Sequence, residues 1–254
     1  MKDKVNIIDV THHNLADVGV CCIKNKKALG FKNKVAWFKN KLNEGLKIKI
    51  AVDESDKQLG FIEYIPSELA WRPITANQYL FIHCIAMFSK ATRQHGIGSR
   101  LIQSCEADAK REGKLGVCTM SSKGTWMANK SLFEKNGFSK VDERGRFELM
   151  AKKFSKNSPN PVMNDWTKAQ PQYTGWNLIY ADQCPWHEKS VTDLQDCALE
   201  HGVDLKVKRI NTPMEAQQAP SGFGVFSLVK DGKLIEDHYI SKTRFENILK
   251  KELE

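Results

Sequence analysis

LFIHCIAMFSKATRQHGIGSRL, residues 80 to 101, decides how the chain is read. Leu80 to Phe88 is an apolar strand, the chain then turns on Gly96 and Gly98, and an amphipathic helix runs on to Glu112. The two glycines remove side chains that would hold a phosphate away from the backbone, and the first helical turn offers N–H groups with no intrahelical partner. That combination is an anion cradle. It lacks the Lys-Ser/Thr of a P-loop and the full dinucleotide fingerprint, so nucleotide hydrolysis and NAD binding are the weaker readings.

The remaining composition bounds the function. A chain of 254 residues buries a sizeable core in one domain or two. Hydrophobic residues make up 41%, and no apolar run approaches the length of a membrane span. The opening residues have no long apolar stretch of the signal-peptide kind, so a cytoplasmic protein is expected. Cysteines at 21, 22, 84, 105, 118, 184 and 197 are too irregular for a disulfide framework and read as small buried hydrophobes in a reducing compartment. With no Cys-x-x-Cys pair, no metal site is expected. The net charge of +9 comes mainly from residues 1 to 50, where 11 lysines face 4 acidic residues. These lysines are dispersed and read as a solvated basic face, with neither nucleic acid nor a membrane as partner.

Outward from the organising stretch, the pattern gives a strand over 5–10, helices over 14–22 and 29–43, and strands over 46–52, 60–65 and 79–88. A long connection from Pro66 to Asn77 carries Trp71, expected near a pocket mouth. After the helix from Ile97 come a strand over 115–120, a loop from Ser121 to Gly124, a helix over 127–136 ended by Gly137, and paired strands 138–141 and 147–153. The helix between strands 79–88 and 115–120 suits a crossover to a parallel neighbour. A first domain over 1–154 and a Ser/Asn/Pro-rich linker over 155–172 are expected. The segment 173–254 then reads as strand, helix 185–201, strand 204–210, a short helical piece, a hairpin turning at Asp231 and Gly232, and a closing helix.

The first domain resembles the GCN5-related N-acetyltransferase (GNAT) family. Arg93-x-x-Gly96-x-Gly98 between strand and helix, followed by LFEKNGF over Leu132–Phe138, carries the likeness. The resemblance implies a mixed, splayed sheet with flanking helices and acetyl-coenzyme A lying between strands 79–88 and 115–120. Its pyrophosphate would meet Arg93, Gln94, His95, Gly96, Ile97, Gly98, Ser99 and Arg100 at the positive helix end. Ile85, Met87 and Phe88 would serve the pantetheine arm, and Asn129 and Phe133 complete the expected cofactor contacts. Two departures stand out. The family's proton-donating tyrosine is replaced by Phe133, which cannot donate, and its asparagine seven residues earlier is replaced by Trp126.

Two residues qualify for acid–base work. Glu63 is a carboxylate in an apolar strand, aimed either into the opening or to solvent on the other face; His83 interrupts another, either as a proton carrier or as a hydrogen-bonded core residue.

The second domain resembles the thioredoxin/glutaredoxin fold, a βαβ unit followed by ββα, as in the YoaP group of bacterial acetyltransferases. YADQCPWH over Tyr180–His187 and GVFSLVKDG over Gly224–Gly232 carry that likeness. His187 stands where the resolving cysteine would be, so no intramolecular dithiol cycle is available. Cys184, placed before Pro185 as first helical residue, is either a reactive thiol assisted by His187 or part of a fold kept for packing. The resulting expectation is an acetyl-coenzyme A-dependent N-acetyltransferase acting by direct transfer on a primary amine of a small molecule. The alternatives are an acyl-coenzyme A-responsive binding protein and a thiol-dependent module acting through Cys184.

Overall fold

The computed structural model describes residues 5–20, 22–23, 25–89, 96–124 and 126–253. They fall into two units, one of Met1–Cys22, Phe38–Ala70 and Ile74–Met163, the other of Ile23–Trp37, Trp71–Pro73 and Asn164–Glu254. The second unit is therefore discontinuous in sequence. Segments 23–37 and 71–73 group with the C-terminal residues.

The chain order is β1 (Asn6–Asp9), α1 (Leu15–Val18), α2 (Leu29–Leu42), β2 (Lys47–Val52), β3 (Gln58–Pro66), β4 (Ile74–Thr75), β5 (Tyr79–Met87), α3 (Ile97–Arg111) and β6 (Gly116–Ser122). It continues with α4 (Lys130–Glu134), β7 (Ser139–Arg144), β8 (Phe147–Lys153) and β9 (Val162–Met163). Seven strands make one sheet in the order β1-β2-β3-β5-β6-β8-β7. Only β5 and β6 run parallel, joined by the α3 crossover as the spacing predicts.

The core explains why these segments form. α3 buries Ile97, Leu101, Ile102, Cys105 and Ala109 on one stripe, and Lys110 and Arg111 in its last turn favour the negative helix end. That stripe packs on Ile62, Tyr64, Leu80, Ile82, Val117 and Met150 of the sheet. Truncating Leu101, which is wholly buried there, to alanine would cost about 2–5 kcal/mol.

Four local readings are revised. Helix α1 is a single turn, because Gly19 at φ 67° ends it before residue 22. α4 begins only at Lys130, where the Asn129 side chain accepts from the Ser131 N–H and caps it. β6 continues through Ser122, since Ser121 and Ser122 stay paired with Glu148 and Phe147. The connection 66–77 and the segment 155–172 are not bare loops: Ile74 pairs with Met163 and Thr75 with Val162, and a 3-10 helix covers Trp166–Gln172.

In the second unit, β10 (Trp176–Tyr180), α5 (His187–Glu200) and β11 (Leu205–Arg209) form a parallel βαβ unit. α6 (Pro213–Gln217), the hairpin β12 (Phe226–Lys230) and β13 (Lys233–Glu236), and α7 (Lys242–Leu253) complete it. The sheet order is β11-β10-β12-β13. Its hairpin turns on Asp231 and Gly232, both at positive φ, the geometry that two-residue loops need to match strand twist.

Candidate active site

The site is organised by a gap. β5 and β6 pair from Tyr79↔Gly116 to Ile82↔Thr119, then stop, although β5 runs on to Met87 and β6 to Ser122. On the other edge of β5 the register against β3 shifts: Glu63 faces Cys84 while Tyr64 faces Ile82. His83 is the extra residue of that bulge. A bulge bends its strand and re-aims side chains, which accounts for β5 leaving β6 here.

At the bulge, Nδ1 of His83 lies 3.3 Å from Oε1 of Glu63, and both side chains are buried. The two residues singled out in separate strands are thus neighbours. Phe81 packs edge-on to the His83 ring at 5.4 Å, and Phe61 stacks with Phe88 at 5.9 Å. This face is opposite α3, since Leu80 and Ile82 point into the α3 cluster.

Ile85 and Met87 pack against the α3 cluster, so their side chains serve the core. Gly96 adopts φ 70° at the start of α3, and an added Cβ there would meet none of the described residues within 4 Å. At Gly98 an added Cβ would come within 3.2 Å of Leu132, so the missing side chain also lets α4 approach α3. Ile97 is core. Ser99 Oγ accepts from the Asn136 side chain at 3.0 Å, and Arg100 donates to the Val5 carbonyl at 2.5 Å. Arg93, Gln94 and His95 lie outside the described residues. Trp71, expected near a pocket mouth, belongs to the second unit; Tyr79 is buried with its hydroxyl donating to the Pro159 carbonyl, and Trp126 is exposed at φ 70°.

On the α3 side, Phe133 is buried against Phe138 at 5.6 Å. The sequence reading missed Ser121. Its Oγ is sealed from solvent and has no hydrogen-bond partner among the described residues. Taking Ser121–Gly124 as loop hid it, and the alternation continuing past Met120 was the available signal.

In the second unit, Cys184 sits in the turn between β10 and α5 and is half-buried. Pro185 and Trp186 lie in that turn, and the helix starts at His187, whose N–H donates to the Cys184 carbonyl at 3.2 Å. Pro185 is therefore not the first helical residue. The His187 ring is buried between Phe223 and Phe226 and donates Nδ1–H to the Ala181 carbonyl at 2.8 Å. Burial pulls it down to about 3, aided by the charges of Arg72 and Lys34. It is neutral at physiological pH.

Residues 45–140 match the family model described as an acetyltransferase (GNAT) domain, and residues 204–247 match the one described as YoaP-like. The chain carries a GNAT domain followed by a YoaP-like region. The "Uncharacterized N-acetyltransferase YoaP" of Bacillus subtilis (strain 168) is 29% identical over 248 residues, covering 95% of this chain and 97% of the relative. Among solved structures, a GNAT acetyltransferase of Staphylococcus aureus Mu50 aligns with a TM-score of 0.45 at 13% identity, covering 60% of this chain and 100% of its own. YhbS of Escherichia coli, a GNAT N-acetyltransferase solved with CoA, aligns with a TM-score of 0.44 at 10% identity, covering 64% and 91%.

The GNAT match over residues 45–140 is to an acetyltransferase domain, for which acetyl-coenzyme A is the acyl donor. Its residues fit that coenzyme. The parted strands admit an extended arm, the backbone at Gly96 is open to an anion, and the orphaned Ser121 hydroxyl borders the gap. No described helix is long and apolar enough to cross a membrane.

Proposed function

We propose that this GNAT domain moves the acetyl group of acetyl-coenzyme A directly to a primary amine of a small molecule, with Glu63 as the base and His83 as its partner. When bound, acetyl-coenzyme A supplies an acetyl group activated as a thioester. The backbone at Gly96 and the α3 N-terminus would hold its diphosphate, and the unpaired stretch of β5 would hold its arm. Glu63 takes the proton that the amine must lose, and the adjacent imidazole shares it. Most of the remaining rate comes from holding the amine in line with the carbonyl.

The observation that carries this reading is the buried Glu63–His83 contact at the bulge where β5 parts from β6. The aromatic side chains of Phe61, Phe81 and Phe88 on the same face favour an acceptor with an apolar body, which suits a small amine. Titration calorimetry with acetyl-coenzyme A, followed by thiol release across a panel of small amines and amine-bearing peptides, tests it. Binding with amine-dependent thiol release is expected. A folded protein that takes up no acyl-coenzyme A, or one that acetylates only peptides, would overturn the acyl-transfer or the small-amine half respectively.

A further inference from the structure

Ser121 offers a buried hydroxyl that the acid–base pair leaves unused. Side chains on β6 alternate, so Val117, Thr119 and Ser121 share a face. Val117 packs in the α3 cluster together with Phe133. Across the ladder, Ser121 is opposite Glu148, whose carboxylate accepts from Lys130 of α4 at 3.0 Å. Both neighbours put Ser121 on the face that carries α4 and Phe133. Thr119, one step back on that face, donates its hydroxyl across to the Ile82 carbonyl at 3.0 Å, at the last β5–β6 pair. Ser121 is the next residue on that face, past the point where the strands separate. A buried hydroxyl with no hydrogen-bond partner among the described residues, beside the gap where β5 and β6 part, is a donor awaiting a ligand acceptor.

We propose that Ser121 donates a hydrogen bond to the thioester sulfur as the acetyl group leaves, supplying the donor that Phe133 cannot. The inference rests on the acyl-transfer reading of the same gap. As the amine nitrogen bonds to the acetyl carbon, the C–S bond breaks and its electron pair stays on sulfur. Ser121 Oγ–H stabilises that charge without giving up its proton, and the proton lost by the amine goes to the Glu63–His83 pair. The two groups act from opposite faces of the sheet. Glu63 and His83 lie with Phe81 on the side away from α3, whereas Ser121 lies with Phe133 on the α3 and α4 side.

The test compares wild type with Ser121→Ala, using coenzyme A and its desulfo analogue in calorimetry and thiol release in steady state. Wild type is expected to bind coenzyme A several-fold more tightly than the desulfo analogue, with the preference growing as pH rises and sulfur ionises. Ser121→Ala should lose that preference while binding the desulfo analogue as wild type does. Its kcat should fall roughly tenfold to a hundredfold, the range expected for one hydrogen bond to a charged atom, with KM for the amine unchanged. Because the hydroxyl has no hydrogen-bond partner among the described residues, Tm should not fall, which separates this role from a structural one. Phe133→Tyr in the Ser121→Ala background should restore part of kcat. Unchanged kcat and an unchanged preference for sulfur in Ser121→Ala would overturn this proposal alone. A wild-type protein that binds neither ligand would overturn it together with acyl transfer.

Discussion

Tyr64 on β3 donates its hydroxyl to Asp108 Oδ2 on α3 at 2.5 Å, with both side chains buried between helix and sheet. Lys47 and Lys49 of β2 approach the same carboxylate at 3.3 and 3.4 Å, and Lys49 also reaches Asp9 of β1 at 3.0 Å. This cluster fixes the crossover helix onto three strands by charge as well as by apolar contact.

Burial works against ionising Asp108, but the Tyr64 hydroxyl and the ammonium groups of Lys49 and Lys47 outweigh it and pull the carboxyl down to about 2. A folded value below the unfolded one gives stability that is present above the ordinary carboxylate range and fades as pH falls toward 2. Tyr64→Phe should cost about 1.5–3 kcal/mol at neutral pH, the range for a hydrogen bond to a charged group. Its acid unfolding midpoint, followed by circular dichroism, should move to higher pH; a midpoint that does not move would show that the bond adds nothing.

For catalysis, Glu63→Gln should lower kcat/KM by roughly a hundredfold or more, as loss of a general base does, while acetyl-coenzyme A affinity stays within about twofold. His83→Ala should lower it less and flatten the acid limb of the rate profile. Stopped-flow thiol release from pH 5 to 9 checks both, and a Glu63→Gln enzyme of full activity removes that carboxylate from the chemistry.

Gly96 is at φ 70°, with none of the described residues within 4 Å of a would-be Cβ. Gly96→Ala should therefore cost only the left-handed backbone term of about 1–2 kcal/mol, with no clash added. A loss of coenzyme affinity greater than the loss of stability, measured by calorimetry beside thermal melts, would place the ligand against this backbone.

Gly224 is a different case. Its φ is 72°, and a Cβ would come within 2.9 Å of the Trp71 carbonyl oxygen and 3.0 Å of the Arg72 Cα. Gly224→Ala combines backbone strain with a clash against main chain and should cost about 2–5 kcal/mol. Urea melts followed by tryptophan fluorescence should show that loss in the second unit; a change under about 1 kcal/mol would mean segment 71–73 yields easily.

His187 is held from an ordinary 6.5 down to about 3, first by burial. Its lowered value means stability is lost as pH falls from the unfolded value toward the folded one, because the unfolded chain takes up the proton first. Above that window the ring is uncharged and offers no cation to a thiolate. Alkylation of Cys184 between pH 5 and 9 should then follow one ionisation, that of the thiol itself. A second inflection near pH 6 would show the imidazole titrating beside it.

Much of this was legible because local pattern and final packing agree. The apolar run 79–88, the glycines after it and the stripe Ile97, Leu101, Cys105 and Ala109 each have one good solution, and the structure adopts it. What stayed hidden depended on distant partners. Nothing local to Ile74 or Val162 announces their short strands, which exist because each finds the other. That Gly98 also makes room for Leu132 was hidden, because Leu132 lies far along the chain. Glu63 and His83 could be named singly, but the bulge that joins them arises only from pairing β3 with β5.

The unit that ends in α7 also claims residues 23–37 and 71–73. A ribosome emits those pieces early and must then deliver more than a hundred further residues before their partners exist. The unit is consequently completed only after synthesis reaches its final helix, and expressing residues 164–254 alone would yield a body missing Trp71 and Arg72 behind Gly224.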